Sequence, residues 1–137
     1  MADLIYKKFK INGTKNEKAD YNFLELKDYI NFPVKRMYFV QNFKTESIGG
    51  HCHKVEEELF VMGRGNGTAI LDRGNGLEEI SFELGKAIYI GKYVWHAFKN
   101  FSPDTVLLAL SSTNYNPDRS DYIENYEDFK KAIKNLP

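Results

Sequence analysis

The feature that most constrains the fold is a series of short segments in which polar and apolar residues alternate, separated by glycine-rich turns. In residues 35–41, for example, Arg36, Tyr38 and Val40 fall on one face of a strand and the intervening residues on the other. Many short strands between glycine turns predict an all-β sandwich or barrel. Similar segments recur at 58–62, 68–71, 79–84, 87–90, 94–98 and 105–110.

The two ends of the chain add to this pattern. Segments 4–9 and 23–30 are predicted as extra strands at the sheet edge, and the run Gly63–Gly67 as a hairpin turn. Only the C-terminal end is predicted as helix, with Asn125 as its N-cap and an apolar stripe ending at Ile133. We expect the whole chain, residues 1–137, to form a single domain.

Charge and cysteine content exclude several classes of protein. Lys+Arg and Asp+Glu are equal at 19 each, so the basic footprint of a nucleic-acid partner is absent. No run approaches the roughly 18 apolar residues of a membrane span, and the first residues lack the apolar stretch of a secretory signal. The one cysteine, Cys52, excludes an intrachain disulfide, and a reducing cytoplasm is the expected location.

The residues that point to chemistry are the three histidines of the chain. His51 and His53 are two apart, so on a strand both project from one face, and His96 lies in another strand-like segment. Cys52 is expected to point away from that face as a packing residue. Glu58 faces inward only if residues 54–57 form a turn or bulge. Glu56 and Glu57 are expected to form a solvated acidic edge.

This pattern resembles the two motifs of the cupin superfamily. That resemblance implies a small, jelly-roll-like β-barrel with a site in its mouth. Gly91 and Tyr93 depart from the usual second motif, where Pro and Gly are common. The matching residues are His51, His53, Glu58 and Gly65 for the first motif, and Gly85, His96 and Asn100 for the second.

A narrower resemblance is to the cupin sugar-nucleotide 3,4-ketoisomerases. It implies a dTDP-linked 4-keto-6-deoxy sugar as substrate, dTDP-4-keto-6-deoxyglucose, on the way to 3-amino-3,6-dideoxy sugars of bacterial surface glycans. It also implies no cofactor and a homodimer, with the aromatic N-terminal strands as candidate interface. Cys52, Ile48 and Glu58 replace residues that are usual in the family. The segments that carry the resemblance are 35–38, 51–54, 71–74, 94–96 and the tail 121–129.

Moving a ketone from C4 to C3 requires enolisation, for which histidine is a suited acid or base near neutral pH. From the resemblance and its position beside Lys54, His53 is the predicted base; the charge of Lys54 would help to keep it neutral. His51 and Tyr38 are predicted to orient the sugar or relay protons. Predicted substrate contacts are Arg36 to the diphosphate, Trp95 to the thymine, and Lys54 and His96.

Two other functions fit the same residues. A metal-dependent cupin enzyme would hold a divalent ion with His51, His53, Glu58 and His96, leaving positions open for substrate. A non-catalytic carbohydrate-binding cupin would use the same fold without turnover. The tail and the Arg36-x-Tyr38 pair favour the ketoisomerase, and the complete ligand set favours the metal enzyme.

Overall fold

The computed structural model describes residues 3–137 of the chain, so the first two residues of the predicted domain lie outside the described residues. Its strands pair antiparallel throughout this range. The elements in chain order are β1 (Tyr6–Lys10), β2 (Asn12–Lys15), β3 (Asp20–Phe23), a 3-10 helix (Leu26–Asp28), β4 (Arg36–Val40), β5 (Ser47–His53), β6 (Glu58–Arg64), β7 (Asn66–Asp72), β8 (Leu77–Glu83), β9 (Lys86–Ile90), β10 (Trp95–Lys99), β11 (Val106–Ser111), β12 (Tyr122–Ile123) and α1 (Tyr126–Lys134).

The strands form two five-stranded sheets and one separate hairpin. Sheet one has the order β1-β9-β6-β11-β4, and sheet two has the order β12-β5-β10-β7-β8. Strands β2 and β3 pair with each other. Within residues 3–137 neither sheet closes on itself, so the predicted barrel is a jelly-roll-like pair of sheets, as expected for the all-β fold class.

The inner faces of the two sheets share the main apolar core. Phe60 and Leu107 of sheet one pack in the same buried cluster as Leu71 and Phe98 of sheet two. This is the period-two pattern of the sequence: in β4, Tyr38 packs against the core while Met37 and Phe39 are exposed. The histidine-bearing strands β5 and β10 are neighbours in sheet two.

The glycine-rich run Gly63–Gly67 is not the predicted hairpin turn. Strand β6 before it belongs to sheet one and β7 after it to sheet two, so Gly65 lies where the chain crosses between the sheets. Gly65 has a φ of +81°, and an added Cβ would lie 2.5 Å from the Ser102 hydroxyl oxygen, so the corner requires glycine. The hairpin of this region is β7–β8, joined by residues 73–76.

The N-terminal prediction is partly correct. Strand β1 pairs with β9 at the edge of sheet one, as expected. In segment 23–30, however, β3 ends at Phe23 and the chain continues into the short 3-10 helix. This part of the chain packs on the outer face of sheet one and does not extend its edge. There Leu59 is covered by Ile11, Leu24 and Ile30.

Helix α1 covers the outer face of sheet two. Its N-cap is Asn125, as predicted: the side-chain oxygen accepts a hydrogen bond from the Asp128 N–H at 3.0 Å. Phe129 and Ile133 are buried against Cys52 and Trp95, which lie behind the histidine face. The predicted packing role of Cys52 is therefore confirmed.

No helix of residues 3–137 is long and apolar enough to cross a membrane.

Candidate active site

The three histidines meet on the inner face of sheet two. The ring centroid of His51 lies 4.8 Å from that of His53 and 4.7 Å from that of His96, and the rings of His53 and His96 are 5.6 Å apart. His53 and His96 are buried at 3% and 2% exposure, and His51 is half-buried. The His-x-His spacing therefore places both side chains on one face, as predicted.

The position of His51 depends on a break in strand pairing. His96 of β10 pairs with His51, but the next residue, Ala97, pairs with Gly49, so Gly50 is an extra residue in β5. Gly49 and Gly50 have φ values of +83° and +82°, a region that L side chains rarely adopt. The two glycines before the first histidine thus place His51 directly opposite His96.

Glu58 joins the cluster from sheet one. Strand β5 ends at His53 and β6 begins at Glu58, and the four residues between them form the turn that the sequence requires for an inward Glu58. Its carboxylate is 2% exposed and accepts a hydrogen bond from the Tyr38 hydroxyl at 2.6 Å. Its other oxygen lies 3.4 Å from Nε2 of His53 and 3.5 Å from Nε2 of His96.

Two more carboxylates face the opposite side of the His53 ring. Nδ1 of His53 lies 3.1 Å from Asp121 and 3.6 Å from Glu56. Glu56 is only 5% exposed and accepts a hydrogen bond from the Ser111 hydroxyl at 2.8 Å, so the expectation of a solvated Glu56 was wrong. Glu57 is half-buried and accepts from the Tyr89 hydroxyl.

The two histidines of the motif have pKa values that are shifted in opposite directions. Burial lowers the pKa of His53, but the hydrogen bond and charge of Glu58, with the charges of Glu56 and Asp121, outweigh it and raise the pKa. For His51, burial lowers the pKa to about 2, with a further contribution from the neighbouring rings of His96 and His53, which disfavour another positive charge. His53 therefore holds a second ring proton more readily than a free imidazole, whereas His51 is a neutral imidazole at neutral pH.

The acidic and phenolic groups of the cluster are shifted too. Burial alone would raise the pKa of Glu58, but the close approach of the His53 and His96 rings holds it well below its usual range. Burial raises the pKa of Tyr38, and the charge of Glu58 raises it further. Glu58 is thus the stable anion of the cluster, and Tyr38 keeps its proton.

His96 presents one free nitrogen to the cluster. Nδ1 lies 3.0 Å from the Val94 carbonyl oxygen, which can only accept, so Nδ1 carries a proton. Nε2 is buried and has no hydrogen-bond partner among the described residues. Nitrogen atoms of His51, His53 and His96 lie within 4.8 Å of one another, so these three side chains fit a divalent ion.

Two arginines next to the cluster lie against tyrosine rings. The Arg36 guanidinium lies 4.6 Å from the Tyr38 ring centre and 5.2 Å from that of Tyr115. Arg119 lies 3.8 Å above the ring of Tyr122, whose ring centre is 4.4 Å from that of His53. Arg119 also forms an ion pair with Glu124 at 2.6 Å.

Arg36 differs from the other arginines of the chain. Arg64, Arg73 and Arg119 each pair with a carboxylate, whereas no carboxylate of residues 3–137 pairs with half-buried Arg36. A half-buried cation without a counter-ion favours binding of an anion.

The surroundings of Lys54 and Trp95 differ from those that the sequence predicts. Lys54 is exposed and lines a cavity of about 310 Å³ together with Glu56, Asp121 and Tyr122. It does not keep His53 neutral, because the nearby carboxylates dominate the pKa of that ring. Trp95 is on the outer face of β10 and packs against α1, so its predicted role in stacking on the base is not retained.

Sequence reasoning assigned no role to Asp121 and Tyr122, although both belong to the tail that carries the resemblance. Strand β12 pairs with β5, with Tyr122 opposite His53, and so brings both residues to the cluster. The Tyr122 ring also lies 4.9 Å from that of His51. In the sequence, the resemblance of the tail 121–129 to the family was the only indication that these residues belong to the site. A two-residue strand is too short to show a periodic pattern.

Comparisons with known proteins identify the relatives of this chain. The family described as "FdtA: WxcM-like, C-terminal" matches residues 5–134. TDP-4-oxo-6-deoxy-alpha-D-glucose-3,4-oxoisomerase of Aneurinibacillus thermoaerophilus is 38% identical over 109 residues, which are 78% of this chain and 77% of that protein.

Solved structures extend the similarity to the fold. A 3,4-ketoisomerase from Helicobacter canadensis superposes with a TM-score of 0.85 at 29% identity, covering 95% of this chain and 98% of that one. QdtA, a sugar 3,4-ketoisomerase from Thermoanaerobacterium thermosaccharolyticum in complex with TDP, has a TM-score of 0.84 at 25% identity, with 94% of each chain covered.

Proposed function

This chain belongs to the FdtA (WxcM-like, C-terminal) family, and we propose that it is an isomerase that moves the keto group of TDP-4-keto-6-deoxyglucose from C4 to C3. The resemblance to 3,4-ketoisomerases expected from the motifs is confirmed. The observation that carries the proposal is the cluster of His51, His53 and Tyr38 around Glu58. Incubating the protein with this sugar nucleotide tests it by NMR: a 3-keto isomer is expected, and unchanged substrate contradicts the proposal.

The reaction moves two protons and no net electrons. In the first half, the C3–H bond breaks, its proton goes to a base, its electron pair forms the C3=C4 bond, and the C4 oxygen takes a proton. In the second half, the C3 hydroxyl loses its proton, the C3 carbonyl forms, and C4 takes a proton. Each half therefore needs a base and an acid near the two carbons.

The environments of the two histidines favour exchanging the roles predicted from sequence. His53 has a raised pKa between Glu58 and Asp121, which suits an acid that supplies a proton to the C4 oxygen. His51 is neutral and more exposed than His53, which suits a base that takes the C3 proton. As the C3–H bond breaks, negative charge develops on the substrate before the C4 oxygen is fully protonated, and this charge stabilises the imidazolium that forms on His51.

Tyr38 is assigned to the proton transfer between the two oxygens. Its hydroxyl donates to Glu58 at 2.6 Å, and its raised pKa keeps it protonated. It can therefore take the C3 hydroxyl proton while passing its own proton through Glu58 to His53, which replaces the proton that His53 gives to the C4 oxygen.

We expect the diphosphate to bind near Arg36, since that guanidinium is half-buried and lacks a carboxylate partner within the described chain. Arg36→Ala should weaken TDP binding by about 1.5–3 kcal/mol, the range for a hydrogen bond to a charged group. Calorimetry measures this, with Arg64→Ala as control because Arg64 is 71% exposed and pairs with Asp104. Equal affinity of the two folded variants for TDP would mean that Arg36 is not part of the binding site.

A metal-dependent reaction is the second candidate, because nitrogens of His51, His53 and His96 are close enough to bind one ion. A divalent ion bound there would polarise a substrate carbonyl. The proton transfers proposed above are assigned to side chains of the chain itself, so we expect turnover to survive exhaustive chelation. Stoichiometric metal in the purified protein, whose removal abolishes turnover and whose return restores it, would favour the metal enzyme.

We propose a homodimer that uses the outer face of sheet one. Met37 and Phe39 of edge strand β4 are 62% and 56% exposed, and they pair with Leu110 and Leu108 of β11. Such an apolar patch on an edge strand favours association with another chain. The N-terminal strands named as interface from sequence lie beside it, since the N-terminal segment packs in one cluster with these leucines.

The test of the dimer is sedimentation of Phe39→Asp. A charge at this position should convert the dimer to monomer, because an unpaired buried carboxylate opposes association. Leu77→Asp is the control, since Leu77 is equally exposed, at 58%, but lies on β8 of sheet two. A Phe39 variant that remains dimeric would place the interface elsewhere.

A cytoplasmic location and a role in surface-glycan synthesis stay predictions from sequence. A non-catalytic sugar-binding protein is the third candidate, and absence of turnover with intact TDP binding would support it.

A further inference from the structure

We propose that Asp121 is a positioning residue for the isomerisation: its carboxylate holds a proton on Nδ1 of His53 and so directs Nε2 towards Glu58 and the substrate. The proposal rests on the proposed function, because His53 is the acid of that reaction. The proposal gives a functional role to a residue of the C-terminal segment that follows β11.

The contact determines which nitrogen of His53 carries a proton. Oδ2 of Asp121 lies 3.1 Å from Nδ1, and an ionised carboxylate can only accept. Nδ1 therefore donates whether the ring is neutral or charged. Nε2 then points to the Glu58 oxygen at 3.4 Å, on the side where Tyr38 donates to the same carboxylate.

The orientation of the Asp121 carboxylate is fixed by further hydrogen bonds. Its oxygens accept hydrogen bonds from the backbone N–H of Val55 at 2.6 Å and of Glu56 at 3.2 Å. Its own carbonyl oxygen accepts from the Lys54 N–H at 2.9 Å. These bonds tie Asp121 to the turn that follows His53, so the carboxylate and the imidazole form one unit.

Glu56 is the competing carboxylate but is less well placed. It lies 3.6 Å from Nδ1, and its other oxygen accepts from the Ser111 hydroxyl. Loss of Asp121 would leave the ring free to rotate or to change tautomer, because Glu56 alone is too far for a normal hydrogen bond. Orientation of a catalytic imidazole by a carboxylate is a general device of acid–base sites.

The experiment compares Asp121→Asn with Asp118→Asn. Both remove one carboxylate from the same segment, but Asp118 is exposed and its carboxylate bonds only to the backbone N–H of Ser120 among the described residues. We expect Asp121→Asn to lower kcat by about 10- to 100-fold, less than the roughly 10²- to 10⁴-fold that a general acid or base itself contributes because His53 remains, with little change in KM or TDP affinity. Asp118→Asn should behave as wild type.

Nitrogen NMR of 15N-histidine-labelled protein gives a readout besides turnover. In the wild type we expect Nδ1 of His53 to carry a proton, and in Asp121→Asn this signal should move or exchange faster. An unprotonated Nδ1 in the wild type would overturn the proposal even if the variant fails to fold. Unchanged kcat and an unchanged spectrum in a folded Asp121→Asn protein would overturn it as well. If the wild type binds TDP but does not turn over, the proposed function fails instead.

Discussion

Replacement of His51 by asparagine should lower kcat by about 10²- to 10⁴-fold, the usual contribution of a general acid or base. Asparagine is of similar size and keeps a hydrogen-bonding group, but it cannot accept a proton near neutral pH. Because the diphosphate is assigned to Arg36 on another strand, TDP affinity should stay close to that of the wild type. Steady-state kinetics and calorimetry on the same preparation measure both quantities.

His53→Asn is the matched control for this result, since it makes the same chemical change two residues away on the same face. We expect exchange of the C3 proton with solvent to be lost in His51→Asn and to be slowed but detectable in His53→Asn, where the base remains. The opposite order would restore His53 as the base, the role that the sequence alone suggested.

The largest expected effect on stability is that of Phe129→Ala, which should lower the free energy of unfolding by about 3–5 kcal/mol. Phe129 is fully buried, and its ring lies 5.5 Å from that of Trp95, so its removal leaves a cavity under α1. Urea denaturation followed by tryptophan fluorescence measures the change. A stable domain has only about 5–15 kcal/mol to lose, so the variant should be marginal.

Leu77→Ala provides the comparison for Phe129→Ala. Leu77 is 58% exposed, so its truncation should change the free energy of unfolding by no more than about 0.5 kcal/mol. A Phe129→Ala protein as stable as Leu77→Ala would mean that α1 contributes little to the fold. In that case the helix would not support the histidine-bearing strands from behind.

Alternation in the sequence predicted most strands of the two large sheets and which side chains share a face, but it gave a strand at 23–30 where a 3-10 helix lies. The two-residue period of an extended chain places Tyr38 on one face of β4 and Met37 and Phe39 on the other. It also places Cys52 on the face opposite to His51 and His53. The N-cap Asn125 was equally predictable, because capping depends on a few neighbouring residues.

Features that depend on distant parts of the chain were not predictable in this way. The turn at Gly65 gives no sign in its own residues that β6 and β7 belong to different sheets. Glu56 is buried only because Ser111 and His53 satisfy its oxygens. Asp121 reaches His53 across 68 residues of sequence, through a strand of two residues. Local pattern carries no information about such contacts.

The central claim, enolisation by the histidine cluster, is tested most directly by incubating the purified protein with TDP-4-keto-6-deoxyglucose in D₂O and following C3 and C4 by NMR. We predict a 3-keto isomer that carries deuterium at C4, together with remaining 4-keto substrate that has gained deuterium at C3. A 3-keto product with no deuterium at C4, formed together with recovered substrate that has none at C3, would contradict abstraction of the C3 proton by a base that exchanges its proton with solvent. Substrate recovered unchanged, with protium at C3, would contradict the isomerase itself.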